Sequence, residues 1–189
     1  MFQLLEKYIK DRASVEPAML DYICSHFSLV KTRRNQLLLQ YGDTCQHYYF
    51  VNKGAIRLFT LNKEGQEASR YFAFEGQFGT ALPSFIEQKP ALEYMQTIAP
   101  SQLLQISRKD FFLLVDTIPA FAAIYRQIIE TGFITAQKRI YGFQGFDALE
   151  KLQWALQQQP DFLARVSNKM AASYLGISPS TLSRLKARL

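Results

Sequence analysis

The chain has 189 residues and is 48% hydrophobic and 14% aromatic, enough for one ordinary domain or two small ones and too apolar for a disordered chain. Lys and Arg number 22 against 16 Asp and Glu, a formal net charge of +6. No run of about 18 or more apolar residues occurs, so no membrane span is expected, and two cysteines, Cys24 and Cys45, are too few for a disulfide framework or a cysteine-rich cluster.

The opening MFQLLEKYIKDR carries acids and bases among its apolar residues and reads as an amphipathic helix, not a signal peptide. A reducing cytoplasm is the expected compartment. Phe2, Leu5, Tyr8 and Ile9 recur at helical spacing, and Pro17 suits the first residue of a second helix. The period then changes. From about Leu29 to Ser107, short β-branched and aromatic runs alternate with turn residues. The runs are Gln36–Gln40, Tyr48–Asn52, Ala55–Leu61, Ala68–Phe74, Tyr94–Ala99 and Leu103–Ser107, with a break at Pro100-Ser101 and a hairpin turn at Asn62-Lys63-Glu64-Gly65. Many short, evenly spaced strands predict a barrel or two-sheet jelly roll rather than an α/β sheet.

Helical spacing returns after Ser107. Lys109 to Val115 forms a short helix, and Pro119 opens a long one. Phe121, Ile124, Ile128, Thr131 and Thr135 lie along one seam of it; Ile129, Phe133, Ala136 and Ile140 lie along another. A helix apolar on two sides must bury both. One side packs on the strand domain. The other calls for the same helix of a second subunit, and the Phe121-to-Thr135 seam is assigned that contact. An internal core helix is the alternative. Gly142 and Gly145 mark a joint, and Asp147 with Glu150 forms a D-x-x-E capping box for the next helix. The expected domains are residues 1–118, the joining helix 119–145, and a small all-helical domain 146–189.

Charge is unevenly placed. The last acid is Asp161, and after it stand Arg165, Lys169, Arg184, Lys186 and Arg188. That tail carries +5 and the remaining chain +1. One end is built for an anionic partner. The tail reads VSNKMAASYLGISPSTLSRLKARL. Ser167 or Asn168 caps a helix, Gly176 supplies the positive φ that ends it, Ser178 caps a second helix, and Pro179 sits at its first turn. Leu182 and Leu185 face inward, and Ser180, Thr181, Arg184 and Arg188 face outward. This is a helix-turn-helix. Ser178 and the second helix's amides suit a phosphate. Lys169, Lys186 and Arg188 are assigned to the DNA backbone, Arg184 to a guanine edge, and Ser180 and Thr181 to weaker base contacts, with Asn168 counted among the DNA-binding residues.

The order of strand roll, long helix, Asp-capped helix and helix-turn-helix, with ASYLGISPSTLSR at its end, resembles the CRP/FNR family of bacterial transcription regulators. The likeness covers nearly the whole chain. It implies an α+β fold with an N-terminal double-stranded β-helix jelly roll of cyclic-nucleotide-binding type. It also implies a homodimer joined by the long helix, double-stranded DNA as ligand, and RNA polymerase as a further partner. A signal sensed in the roll would pass to the DNA-binding tail.

The chain departs from that pattern. The resemblance places the phosphate cassette of cyclic-nucleotide binders on Gly79, Thr80 and Ala81, then Ala91 and Leu92, with Ala136 and Gln137 facing the purine. The Gly is kept, but the Glu and Arg are not. Alanine cannot offer the charge-assisted fork a phosphate needs, so cAMP binding by the usual mode is not expected. No cofactor or metal is expected. Iron–sulfur ligation needs four thiolates, His26 and His47 read as ordinary residues, Cys24 as a buried hydrophobe, and Cys45 as a residue of a polar loop. A β-hairpin wing after the second helix is expected to be absent, since the chain stops at Leu189. An enzyme on the roll would need clustered His and carboxylate ligands, which two histidines do not supply. The alternative function is a sensing or interaction module with a degenerate DNA-binding tail, because Pro179 and Ser180 stand where relatives carry long base readers.

Overall fold

The computed structural model describes residues 1–188. Leu189, on which the expected absence of a wing rests, lies outside the described residues. Two short helices open the chain, α1 (Gln3–Lys10) and α2 (Pro17–Ser25). Eight strands follow: β1 (Ser28–Thr32), β2 (Leu37–Leu39), β3 (His47–Lys53), β4 (Ile56–Leu61), β5 (Glu67–Ala73), β6 (Phe78–Gly79), β7 (Tyr94–Thr97) and β8 (Ser101–Ser107). A helix α3 (Leu82–Glu87) interrupts them between β6 and β7. The strands form two four-stranded sheets, β1-β8-β3-β6 and β2-β7-β4-β5. This is the expected jelly roll. Its pairing is long-range and antiparallel, with Phe50 opposite Leu104 and Leu29 also opposite Leu104 across the sheet.

Three elements escape a reading by pattern alone. β1 has no clean alternation of burial along SLVKT and forms because β8 offers it a ladder. β6 is two residues long and is held by Tyr49 and Phe50. α3 lies inside the stretch read as strands and turns, with Pro83 in its first turn. Ser101, taken as part of a break, instead starts β8 and pairs with Thr32.

The roll's core also takes in its helices. Tyr8 of α1 meets Phe50 and Phe78 edge-on at 5.5 and 5.3 Å. Tyr48 stacks on Phe111 at 4.9 Å. Phe111 belongs to α4 (Arg108–Thr117), whose Ser107 cap accepts from the Asp110 amide. Each fully buried side chain of this size contributes about 1.5–3 kcal/mol. Cys45 lies here too. It was expected in a polar loop but is buried, because its backbone amide and thiol find internal partners in the Ser84 and Thr80 hydroxyls.

The chain divides into two compact units, residues 1–58 with 72–130, and residues 59–71 with 131–189. The long helix α5 (Pro119–Gly145) contributes to both. Its first turns belong to the roll, where Phe121 and Ile124 are buried and Ile128 packs against the same core. This corrects the seam assignment: Phe121 and Ile124 are covered by their own roll, and the exposed apolar residues are Phe133, Ile134, Ile140 and Tyr141. Of the other assigned positions, Thr131 is exposed and Thr135 half-buried. The joint is also displaced. α5 runs through Gly142, where a Cβ would stand 2.6 Å from the Phe146 ring, so glycine lets that ring fold back on the helix.

The second unit holds the tip of the β4–β5 hairpin and four helices after α5: α6 (Ala148–Gln158), α7 (Phe162–Arg165), α8 (Asn168–Leu175) and α9 (Pro179–Lys186). α6 starts at the expected capping box. Asp147 accepts from the Glu150 amide at 2.9 Å, and Glu150 accepts from the Asp147 amide at 2.8 Å. Among the described residues, no single helix is long and apolar enough to cross a membrane.

Candidate nucleic-acid interface

The geometry of α8 and α9 is set by local chemistry. Ser167 caps α8 by accepting from the Met170 amide at 3.3 Å. Gly176 ends it at φ +67°, and the Ile177 amide returns to the Ala172 carbonyl at 3.1 Å. Ser178 then caps α9 by accepting from the Thr181 amide at 3.0 Å, with Pro179 at a position that needs no amide hydrogen. Ala171, Ala172, Leu175, Leu182 and Leu185 close the core between the two helices, with Leu152 and Ala155 of α6 also buried.

The opposite face of α9 is polar and open. Ser178, Ser180, Arg184, Lys186 and Arg188 are exposed, and Thr181 is half-buried. The Ser178 hydroxyl lies 2.8 Å from those of Ser180 and Thr181. Arg184 reaches back to the Thr181 hydroxyl at 3.5 Å. Ser178, Ser180, Thr181 and Arg184 are thus linked on one surface, and Lys169 is exposed at the start of α8. Asn168 sits differently. Its side-chain amide donates to the Pro179 carbonyl at 3.1 Å and to the Ser183 hydroxyl at 3.3 Å. It braces α8 against α9, which engages a side chain counted among the expected DNA contacts.

The cassette positions lie in the roll. Gly79 ends β6, and Ala81 and Ala91 are buried. Thr80 donates its hydroxyl to the His47 carbonyl at 2.9 Å, so it is engaged internally. Leu92 is 72% exposed and contributes nothing to an enclosed site. Ala136 and Gln137 belong to the other compact unit. A cavity of about 300 Å³ beside β3 includes His47, Tyr49 and Met95 in its lining but none of the cassette positions. Burial pulls the His47 pKa below its ordinary value and pushes that of Tyr49 up to about 12. Neither group supplies a fixed positive charge.

Comparison with known proteins fits this plan. Residues 29–117 match the cyclic nucleotide-binding domain family. The cAMP-activated global transcriptional regulator CRP of Pasteurella multocida is 20% identical over 184 residues, covering 91% of this chain and 87% of that protein. The chain is similar over most of its length to CRP-type transcription regulators. Among solved structures, FixK2 from Bradyrhizobium japonicum superposes with a TM-score of 0.76 at 15% identity, over 86% of this chain and 84% of its own. The c-di-GMP-responsive regulator CLP of Xanthomonas campestris superposes with a TM-score of 0.71 at 16% identity, over 92% and 91%. The curated relatives it matches are described as transcriptional regulators.

One contact within the second unit follows from no local sequence pattern. Arg139, near the end of α5, donates to the main-chain carbonyls of Arg70, Ser69 (3.3 Å) and Tyr174 (3.0 Å). Its guanidinium also lies 4.2 Å from the Tyr174 ring centre and 4.8 Å from that of Phe143. Burial lowers its pKa from the usual arginine value, and burial raises that of Tyr174 against the opposing pull of Arg139. The only advance sign was a cation in an otherwise mixed helical run, which does not reveal partners 35 to 70 residues away.

Proposed function

We propose that this regulator is a homodimer that reads double-stranded DNA through α9 and does not take cAMP by the cassette mode. The observation that carries the reading is the row of exposed Ser180, half-buried Thr181 and exposed Arg184 on α9, continued by exposed Arg188 just past its end, with Leu182 and Leu185 buried on the inner side. It stands in a tail with no acid after Asp161. Lys169, Lys186 and Arg188 supply phosphate contacts, and these give affinity and salt dependence but no sequence information. Arg184 supplies the forked donor suited to a guanine edge. Short hydroxyl side chains beside it permit close approach to the groove.

Dimerisation follows from the exposed half of α5. Phe133 and Ile140 are seven residues apart, as are Ile134 and Tyr141, so the four form one stripe. A second copy of the same stripe would cover it, and two α9 helices spaced by about 34 Å would meet successive major grooves.

The test is selection of duplexes from random DNA with the full chain, followed by gel shift. A two-fold symmetric site should emerge. Arg184→Ala should weaken binding to that site by about 1–3 kcal/mol, roughly 5- to 150-fold, and relax preference at a single base pair in each half-site. Unchanged specificity in that variant would remove Arg184 from the reading role. Titration calorimetry with cAMP should show no micromolar binding, since Ala91, at the arginine position, offers no charged fork to a cyclic phosphate and Thr80, at the glutamate position, offers no carboxylate to the ribose; a micromolar constant would overturn that part of the reading.

A further inference from the structure

β5 is the edge strand of its sheet, so its outer main-chain groups have no neighbouring strand to pair with. At Ser69 these groups are covered from the helical side, and the adjoining Arg70 carbonyl is bound from there too. Arg139 takes both carbonyls. Ser173 of α8 accepts from the Ser69 amide at 3.3 Å, and the two serine hydroxyls meet at 2.7 Å. The other arm of the contact is a helix end. Tyr174 is the penultimate residue of α8, and its carbonyl is one of the last four, which have no intrahelical donor. Arg139 fills that vacancy with a charged donor at the negative end of the helix. The residues involved, 69–70, 139 and 173–174, all lie within one compact unit.

We propose that Arg139 is a positioning residue for DNA reading, tying the C-terminal end of α8 to the β4–β5 hairpin so that hairpin order and DNA affinity are coupled. The proposal rests on the DNA-reading role given above. The end of α8 sets the Gly176 turn, and that turn sets where α9 begins. Fixing Tyr174 therefore fixes the start of the reading helix. The β4 and β5 strands continue directly into the roll's second sheet, so the hairpin is the part of that sheet that the helix-turn-helix holds. Coupling of this kind is reciprocal: if hairpin order favours DNA binding, DNA binding must favour hairpin order by the same factor.

Amide hydrogen exchange at residues 67–71 and gel-shift affinity, both with the full chain and the duplex recovered by selection, test this. In the parent protein the duplex should slow exchange at these amides. Arg139→Met keeps the bulk over the Tyr174 and Phe143 rings and removes the donors. It should bind the duplex about tenfold more weakly, and the slowing should vanish. Arg139→Lys keeps the charge but not the fork and should follow the Met variant. Recovery of parent behaviour by Lys would show that charge alone matters and would overturn the proposal. So would a Met variant that binds within twofold of the parent, or a hairpin that still responds to DNA in it. Should the Met variant fail to fold, Ser173→Ala removes the Ser69 links together with the hydroxyl's own bond to the Met170 carbonyl within α8; the hairpin's response must then shrink, and an undiminished response counts against the proposal. A selection that yields no duplex overturns the DNA reading and this proposal with it, whereas a bound duplex with an unresponsive hairpin overturns this proposal alone.

Discussion

A protein carrying both Phe133→Glu and Ile140→Glu is expected to sediment as a monomer at concentrations where the proposed homodimer of the parent forms. Both side chains are large and apolar, and they are 62% and 49% exposed in the single chain. Two-fold symmetry places four of them in one interface. Each is worth about 1.5–3 kcal/mol when buried, and the replacements would force carboxylates against each other. The dissociation constant should therefore rise by more than about a thousandfold, since every 1.4 kcal/mol is tenfold. The roll should remain folded, because Phe121 and Ile124, which anchor α5 to it, are untouched. DNA affinity should fall with dimerisation, as each chain then engages a single half-site. Analytical ultracentrifugation combined with gel shift checks both parts. A variant that stays dimeric would mean that another surface holds the subunits together.

Leu182→Ala is expected to melt the helix-turn-helix while leaving the roll's aromatic core intact. Leu182 is fully buried among Ala171, Ala172, Leu175 and Leu185. Truncating a leucine in such a site costs about 2–5 kcal/mol, the spread reflecting how far the cavity collapses. Small neighbours on α8 limit that collapse: Ala171 and Ala172 have no flexible side chain to move into the space. A helical unit of this size has little stability in reserve. Thermal unfolding followed by circular dichroism should show an early loss of helix, with the near-ultraviolet signal of the Tyr48, Phe50, Phe85 and Phe111 cluster persisting to higher temperature. DNA binding should be lost with the first phase. A single transition shifted by less than about 1 kcal/mol would mean that the site repacks, as few core sites do.

What the sequence made legible and what it hid differ in range. The Asp147–Glu150 box, the Ser167 and Ser178 caps and the Gly176 turn are all decided within four residues, and each appears in the structure where its spacing puts it. The jelly roll was readable as a class from the cadence of its strands. The short β6 was not, because two residues carry no period and only Tyr49 and Phe50 define it. Periodicity also showed that α5 has two apolar seams without showing which one its own domain covers. That is settled by Phe111, which meets Phe121 at 5.4 Å. Asn168 reads from its place in the basic tail as one of the DNA-binding residues; only the position of Pro179 and Ser183, eleven and fifteen residues on, shows that it is engaged as a brace.

The contact made by Arg139 has an asymmetric chemistry. The donor is one side chain, while all three acceptors are main-chain oxygens. Such oxygens are present whatever residue stands at 69, 70 or 174. The hairpin can therefore change its side chains, and with them its charge or its surface, without losing the hydrogen bonds to Arg139. Position 139 has no such freedom, because no other side chain spans three carbonyls with a planar fork of five N–H groups. Through this contact, a lineage could retune the hairpin and keep the wiring to its reading helix, with the whole connection hanging on a single codon.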